Sequence, residues 1–286
     1  MKTVILSPNP YRDRNFRHAL EAERVLRSAG IETKICLSFD VDRGFELPKS
    51  ITFHPMEEAL QTADALICFG GDGTILHASK AASAVNVPVL GVNIGTVGFM
   101  AELESSEVAL LEKLACDDYE LDERMMLAVQ LFHEDACVYE DVALNDILIT
   151  KGAVARVISV AIQCDGREAM SFSGDGVVVS TPTGSTAYSM SAGGPIVEPR
   201  AENILITPIC AHDIQPRCLV TAPSRTIEIE VGRINRRNAF LSADGGKAIR
   251  VYSGDRIVIR NAPMKTRLIK LKDNSYFDIV KTKLNR

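Results

Sequence analysis

The acidic residue Asp72 stands inside a glycine-rich stretch, Gly70–Thr74, which reads Gly-Gly-Asp-Gly-Thr. Glycines let backbone N–H groups approach a ligand closely, and a helix that begins here favours an anion at its N-terminus. The carboxylate would nevertheless repel a bound phosphate by roughly 4 kcal/mol at about 4 Å and an effective dielectric constant near 20. Asp72 therefore either holds a cation that bridges to phosphate or accepts a proton from an attacking hydroxyl group. Both interpretations predict phosphoryl transfer.

This loop is predicted to join a strand to a helix, within a series of such units. The predicted strands cover residues 3–6, 34–37, 65–69 and 87–92, and the predicted helices cover residues 15–29, 55–63, 74–82 and 106–114. Repeated strand–helix units indicate a parallel sheet with helices on both faces, in which ligands bind at the carboxyl ends of the strands. Because Asp72 follows such an end, we predict a Rossmann-like α/β domain over residues 1–120 that carries the loop.

The second half of the chain changes to short β-like runs separated by turn signals such as Asp165-Gly166. These runs cover residues 125–132, 143–150, 157–164, 176–180, 204–211, 226–231, 239–243 and 256–260. We therefore predict a mostly-β domain of the β-sandwich type over residues 121–265.

The composition narrows the class of protein. The net charge of −5 argues against general nucleic-acid binding, and no apolar run reaches the ~20 residues of a membrane span. The N-terminus becomes polar too soon for a signal peptide. Seven scattered cysteines without a C-x-x-C pair indicate reduced thiols and a cytoplasmic protein. The histidines show no ligand spacing, so we expect no protein-bound metal; Mg²⁺ carried by substrate phosphates is a separate case.

A second polar tract, Ser180–Pro195, follows the apolar residues Val177–Val179. It is dense in hydroxyl groups and small residues and holds one aromatic residue, Tyr188. Such a tract can donate hydrogen bonds to a nucleotide while Tyr188 covers a flat ring. Composition equally fits a long surface loop rich in turn residues.

Two further polar sites interrupt apolar sequence. The pair Asn145-Asp146 lies within the run 142–149. Since buried polar groups must be hydrogen-bonded, the pair either serves the fold or binds a ligand, and its residues alone slightly favour the fold. The stretch Asn93–Phe99 follows the predicted strand 87–92 and, by composition, reads as an ordinary glycine-rich connection.

Taken together, these sites closely resemble those of the NAD kinase family, and they occur in the family's order. The matches are Gly70–Thr74, then Gly91-x-Asn93-x-Gly95-x-x-Gly98-Phe99, then Asn145-Asp146, and finally Thr181–Ser189 with Ala192–Pro195. The first motif is shared with diacylglycerol and sphingosine kinases, whereas the tract Thr-Pro-Thr-Gly-Ser-Thr-Ala-Tyr is highly specific. The resemblance extends from about residue 60 to residue 260.

The resemblance implies an α/β domain, a β domain and a C-terminal segment, residues 266–286, that returns to the first domain. It implies transfer of the γ-phosphoryl group of ATP, or of polyphosphate in some members, to the 2′-hydroxyl of the adenosine ribose of NAD. Mg²⁺ or another divalent cation would arrive with ATP. The expected assembly is a homodimer or homotetramer, with no membrane and no nucleic acid as partner.

The resemblance also assigns roles to residues. Asp72 would accept the proton, Gly73 would contact NAD beside it, and His77 would lie near phosphate. Asn145 and Asp146 would hold adenosine or its ribose hydroxyls. The implied binding residues are Gly71, Gly73, Thr74, His77, Asn93, Asn145, Asp146, Arg156, Asp175, Thr183, Ser185, Thr186, Ala187, Tyr188, Ser189, Met190 and Ser191.

The sequence departs from the family pattern at two places. Gly246 stands where many relatives carry Gln, and Cys218 replaces a proline in the element that begins at His212, which puts a ligand role for His212 in doubt. Two alternatives stay open: a lipid or sphingoid kinase with the same loop, or a nucleotide-binding regulator without catalysis. The hydroxyl-rich tract argues against the first, and the presence of Asp72 argues against the second.

Overall fold

A computed structural model of the chain describes residues 1–38, 41–42, 44–95, 98–152, 156–212, 217–232, 239–273 and 275–284. The chain divides into two compact units. Unit 1 comprises Met1–Glu123 and Thr266–Arg286, and unit 2 comprises Arg124–Lys265. None of the helices in the described ranges is long and apolar enough to cross a bilayer.

Unit 1 is built on a parallel sheet. Its strands are β1 Thr3–Pro8, β2 Glu32–Ile35, β3 Ala65–Gly70, β4 Val89–Asn93 and the short β5 Leu103–Glu104. The order is β2-β1-β3-β4, and β5 pairs with β4. All six residues of β3 and all five of β4 are buried, as expected for strands with both faces covered. The carboxyl ends of these strands share one edge of the sheet.

Helices cover this sheet: α1 Arg17–Ser28, α2 Met56–Leu60, α3 Asp72–Ala84, and a 3₁₀ helix, Ser105–Cys116. The apolar positions Ala19, Ala22 and Leu26 recur at helical spacing and are buried in α1. They join β1 and β3 residues in one hydrophobic core. The backbone N–H groups of His18 and Ala19 donate to the buried Asp13 carboxylate at 3.0 Å each, which satisfies the first turn of α1.

Unit 2 is mostly β. Its strands are β6 Glu120–His133, β7 Ala136–Ala143, β8 Asp146–Lys151, β9 Ile158–Cys164, β10 Arg167–Gly174, β11 Gly176–Ser180, β12 Ile204–Ile209, β13 Leu219–Thr221, β14 Ile227–Val231, β15 Ala239–Ala243, β16 Ile249–Val251 and β17 Arg256–Lys270; β6 starts, and β17 ends, within unit 1. One turn of helix, α4 Tyr188–Ser191, and two 3₁₀ turns, Thr183–Thr186 and Pro199–Ala201, complete it.

Two antiparallel sets of strands face each other in unit 2. One sheet has the order β13-β12-β11-β8-β15-β16, and the other set runs β10-β9-β14-β17. Alternate residues of both sets, such as Ile147 and Val177 in the first and Ile229 and Ile257 in the second, belong to one hydrophobic core. This is the arrangement of a β-sandwich.

The last part of β17 belongs to unit 1, where Leu268 pairs with Val89 of β4. The backbone N–H groups of Leu271 and Lys272 donate to one oxygen of the buried Glu102 at 2.8 Å each, and Lys270 pairs with the other oxygen. Helix α5 Tyr276–Leu284 follows. The C-terminal segment is therefore attached to unit 1 through a buried carboxylate.

Candidate active site

Asp72 lies at the carboxyl end of β3, where it is the first residue of α3 and Gly71 is the N-cap. Its half-buried carboxylate accepts hydrogen bonds from the backbone N–H groups of Phe99, at 2.7 Å, and Met100, at 3.2 Å. The two bonds reach different oxygens and fix the orientation of the group. Each oxygen keeps a lone pair that can accept a further proton.

Gly98 is required for this arrangement. A Cβ added to Gly98 would lie 1.9 Å from Asp72 Oδ1, a distance that no real contact reaches. Only glycine at position 98 therefore allows the loop after β4 to lie this close to the Asp72 carboxylate. Thr96 and Val97, which belong to the same predicted tract, lie outside the described residues.

The Thr74 side chain links the glycine-rich loop to the loop after β1. This side chain is 5% exposed, and its Oγ1 accepts a hydrogen bond from Asn9 Nδ2 at 3.1 Å. Asn9 also donates its backbone N–H to the Phe69 carbonyl at 2.9 Å, so it connects the loop after β1 to the loop after β3. The sequence pattern did not single out Asn9. By contrast, Gly73 and His77 are exposed, and His77 lines a cavity of about 600 Å³.

Asn93 ends β4 and is buried. Its Nδ2 donates to Glu104 Oε2 at 2.8 Å and to the Gly95 carbonyl at 3.3 Å. Its Oδ1 has no partner among the described residues. The Asn93 side chain thus links Gly95 to β5, and one buried acceptor oxygen has no protein donor among the described residues.

In unit 2, Asp244 is hydrogen-bonded to the turn that carries Asn145 and Asp146. Its carboxylate accepts the backbone N–H groups of Leu144, Asn145 and Asp146 at 2.7, 2.8 and 3.0 Å. Asp244 lies in the left-handed region, with φ +50°, just before Gly245. Asn145 therefore sits in a turn between β7 and β8 rather than inside a strand. Sequence reasoning missed Asp244 as a positioning residue, although the acid before glycine is a turn signal.

The side chains of Asn145 and Asp146 are each 8% exposed. Burial, with a further contribution from the charge of Asp244, raises the pKa of Asp146 to about 7. Burial also raises the pKa of Asp244, although its three N–H donors oppose this shift. The buried Oδ1 of Asn145 has no hydrogen-bond partner among the described residues.

The tract Ser180–Ser191 packs directly on this turn. The Thr181 N–H donates to the Asn145 carbonyl at 2.9 Å, and the Thr181 hydroxyl donates to the Leu144 carbonyl at 2.6 Å. A Cβ added to Gly184 would lie 2.1 Å from the Asn145 carbonyl oxygen. The glycine thus allows close approach, and the two predicted sites form one cluster within unit 2.

Two hydroxyl groups of the tract make hydrogen bonds with other residues of unit 2. Ser185 is fully buried, and its Oγ accepts the Val197 N–H at 3.0 Å and donates to the Val197 carbonyl at 3.2 Å. Ser189 is also fully buried, and its Oγ shares a hydrogen bond with Thr207 Oγ1 at 3.0 Å. These hydroxyls maintain the shape of the tract.

Two threonines act in the same way. Thr183 Oγ1 accepts from Arg124 Nη1 at 3.3 Å, and Thr186 Oγ1 donates to the Thr183 carbonyl at 3.3 Å.

The part of the tract that a ligand can reach is its last turn. The exposed or half-buried residues there are Thr186, Ala187, Tyr188, Met190 and Ser191.

The remaining predicted residues lie around β8 to β12. Asp175 is half-buried and pairs with Lys151, with 2.5 Å between Oδ1 and Nζ. Arg156 is exposed. His212 is exposed as well, and its backbone N–H donates to the Ser173 carbonyl at 2.8 Å. Residues 213–216 of the same element lie outside the described residues.

No three histidine, cysteine or acidic side chains of the described ranges come together as a metal site.

Comparisons with known proteins match both units. Residues 18–119 match the ATP-NAD kinase N-terminal domain, and residues 144–271 match the ATP-NAD kinase C-terminal domain. The NAD kinase of Geotalea daltonii is 40% identical over 225 residues, which cover 78% of this chain and 79% of that protein. The NAD kinase of Lachnospira eligens is 34% identical over 99% of this chain and 100% of that protein. The chain belongs to the NAD kinase family.

Solved structures of NAD kinases and NADH kinases share the fold. The crystal structure of yeast NADH kinase complexed with NADH has a TM-score of 0.86 and 26% identity, and covers 100% of this chain and 87% of that chain. An NAD kinase from Archaeoglobus fulgidus in complex with ATP has a TM-score of 0.73 and 26% identity, and covers 100% of this chain and 99% of that chain. The predicted fold, an α/β domain followed by a mostly-β domain, is confirmed.

Proposed function

We propose that this member of the NAD kinase family transfers the γ-phosphoryl group of ATP to the 2′-hydroxyl of the adenosine ribose of NAD, which yields NADP and ADP. The observation that carries the proposal is the Asp72 carboxylate, held by two N–H groups at the carboxyl end of β3. Parallel sheets bind ligands at this edge. The buried, partly unpartnered pair in unit 2 supports binding of a polar ligand with several hydroxyl groups.

In this proposal Asp72 acts as general base. It takes the proton of the 2′-hydroxyl while that oxygen attacks the γ-phosphorus, and the bond from phosphorus to the leaving ADP oxygen breaks. A positioned base contributes roughly 10²–10⁴-fold to such a rate. Because the Phe99 and Met100 N–H groups already orient the carboxylate, little reorganisation is needed when the hydroxyl arrives.

Recognition of NAD falls to unit 2. Asn145 Oδ1 is buried without a protein donor, so it accepts a ligand O–H or N–H. Asp146 accepts from a ribose hydroxyl when it is ionised. Tyr188 is 43% exposed at the end of the tract and offers its ring to a flat base. From the family resemblance, Asp175, Arg156 and the reachable residues among Thr186–Ser191 are assigned to NAD binding as well. Thr183, Ser185 and Ser189 act through the shape of the tract.

The phosphoryl donor is proposed to bind the glycine-rich loop. The backbone N–H groups of Gly71 and Gly73 lie at the start of α3, where the helix favours negative charge. The N–H of Thr74 donates to the Gly71 carbonyl at 2.9 Å, so Thr74 acts by holding the shape of the loop. His77, one turn further along α3, is proposed to lie near phosphate, and Asn93 to contribute from β4. Mg²⁺ arrives with the donor, since phosphates usually supply part of its coordination. It would neutralise phosphate charge during transfer.

The cytoplasmic location and the homodimeric or homotetrameric assembly are further proposals from the family resemblance. The direct test of the reaction is to incubate purified protein with NAD, ATP and Mg²⁺ and to detect NADP with a dehydrogenase specific for NADP. A ³¹P spectrum of the product then locates the new phosphate. Well-folded protein that makes no NADP with either ATP or polyphosphate would contradict the proposal.

A further inference from the structure

The loop that follows β1 is fastened to the loop that carries Asp72. β1 and β3 are neighbours, with Pro8 opposite Phe69. Asn9, the first residue of the loop, bonds through its backbone to Phe69 and through its side chain to Thr74. The residues that immediately follow Asn9 therefore lie beside the glycine-rich loop.

Arg12 extends from this loop across the end of β3. Its backbone N–H donates to the Asn9 carbonyl at 3.1 Å, which closes a turn. Its Nη1 lies 3.3 Å from the position of a Cβ added to Gly95, which belongs to the loop after β4. β3 lies between β1 and β4, and neighbouring strands are about 4.8 Å apart. To reach Gly95 from the loop after β1, the Arg12 side chain must therefore cross the carboxyl end of β3.

The loop after β4 connects Arg12 to the predicted base. Gly95 faces the Arg12 guanidinium, and Gly98, three residues later, faces the Asp72 carboxylate. One loop thus lies beside a cation at one glycine and beside the base at another. The two groups form no ion pair with each other, and Arg12 has no ion-pair partner elsewhere in the described part of the chain.

The neighbouring acid does not neutralise Arg12. Asp13 is fully buried, and its carboxylate is occupied by the His18 side chain and by two N–H groups of α1. Arg12 itself is exposed, as are Arg14, in the short 3₁₀ helix Arg14–Phe16, and Arg17, the first residue of α1. These three arginines have no ion-pair partner among the described residues, so they concentrate positive charge locally in a chain whose net charge is −5. Such a cluster at a strand end favours a polyanion.

We propose that Arg12 binds the phosphate chain of the phosphoryl donor. The inference rests on the proposed function, because it assigns a further residue to the donor side of that site. A guanidinium group presents paired N–H donors that match two phosphate oxygens, which an ammonium group cannot reproduce. The ligand chemistry is a linear phosphate anhydride, which ATP and inorganic polyphosphate share.

The first experiment measures binding without catalysis. Inorganic tripolyphosphate and ATP are titrated calorimetrically into wild type, Arg12→Ala and Arg12→Lys. The matched control is Arg24→Ala, which removes an exposed arginine from α1. We expect the Kd for both ligands to rise about 10-fold or more in Arg12→Ala, and less in Arg12→Lys. The control should stay within about twofold of wild type.

The second experiment measures NADP formation. We expect kcat/KM for ATP to fall about 10²-fold in Arg12→Ala, while the Kd for NAD and the melting temperature stay unchanged. The inference would be overturned if Arg12→Ala bound tripolyphosphate as tightly as wild type. It would also be overturned if the variant lost affinity for ATP alone, since Arg12 would then contact the nucleoside. Wild type that binds tripolyphosphate through Arg12 but makes no NADP would contradict only the proposed function.

Discussion

The backbone N–H of Phe99 donates to Asp72 Oδ2 at 2.7 Å, so a residue 27 positions along the chain orients the predicted base. Met100 adds a second bond to the other oxygen. The sequence places Asp72 at a strand end, but its orientation comes from a different loop. Catalysis should therefore be sensitive to the loop after β4 as well as to Asp72 itself.

Gly98→Ala should displace the Asp72 carboxylate, because the added Cβ would lie 1.9 Å from Oδ1. We expect kcat for NADP formation to fall about 10²-fold, since misplaced catalytic groups lose rates of that order. Equilibrium binding of NAD should change little. Steady-state kinetics and a direct NAD titration measure the two effects separately.

Gly232→Ala is the control, since Gly232 is an exposed residue of unit 2 and an added Cβ there would have Ser159 Cβ as its nearest atom, at 3.2 Å. It adds the same methyl group away from Asp72, so its kcat should stay close to that of wild type. Equal losses in kcat for the two variants would contradict the positioning role of Gly98.

Asp244→Asn should destabilise unit 2. The carboxylate accepts three backbone N–H groups through both oxygens, and an amide can present only one oxygen. Its NH₂ group would then face an N–H donor, so we expect the free energy of unfolding to fall by about 1–3 kcal/mol. Urea denaturation measures this change, and the KM for NAD should rise because the Asn145 turn shifts.

The control for this experiment is Asp165→Asn, which weakens an exposed pair with Arg225. Exposed ion pairs contribute little to stability, so its unfolding curve should lie near that of wild type. If the two variants lose stability equally, Asp244 has no special role in holding the turn.

Asp146 should make stability depend on pH. Its pKa is raised from 3.8 to about 7 in the folded protein, so folding favours the protonated acid. Its stabilising contribution is fully present below about pH 4 and is lost as the pH rises to about 7. Asp146→Asn cannot ionise. The free energy of unfolding of wild type should therefore fall relative to this variant between about pH 5 and pH 7. Parallel urea profiles for the two proteins across this range would show that Asp146 ionises normally.

Much of unit 1 follows from its sequence. The continuous apolar run of β3 and the glycines after it predict a buried parallel strand and a helix start, and both are confirmed. In unit 2, β7 and β10 were missed because half of the residues of each strand are exposed and few are buried, so neither has the buried apolar pattern of the other strands. The predicted strand 143–150 was wrong at its start, since the Asn145 turn is hidden among apolar neighbours.

Candidate site residues could be predicted only where the residue type and its immediate neighbours in the sequence are distinctive. Asp72, Asn145 and Asp146 stand out by residue type and spacing. Arg12 and Asp244 do not, because their roles depend on contacts with residues far along the chain. The hydroxyls of Ser185 and Ser189 are turned inward, which composition cannot reveal. Burial and long-range contacts are set by the tertiary fold.

The most direct test of the central claim is the rate of NADP formation by Asp72→Asn, measured beside wild type and Asp118→Asn, an exposed acid of unit 1. The substitution keeps the shape of the side chain and removes the base. We predict a fall in kcat of about 10²–10⁴-fold, with the Kd for NAD unchanged and the Asp118 variant fully active. A kcat within threefold of wild type in Asp72→Asn would contradict the assignment of Asp72 as the base.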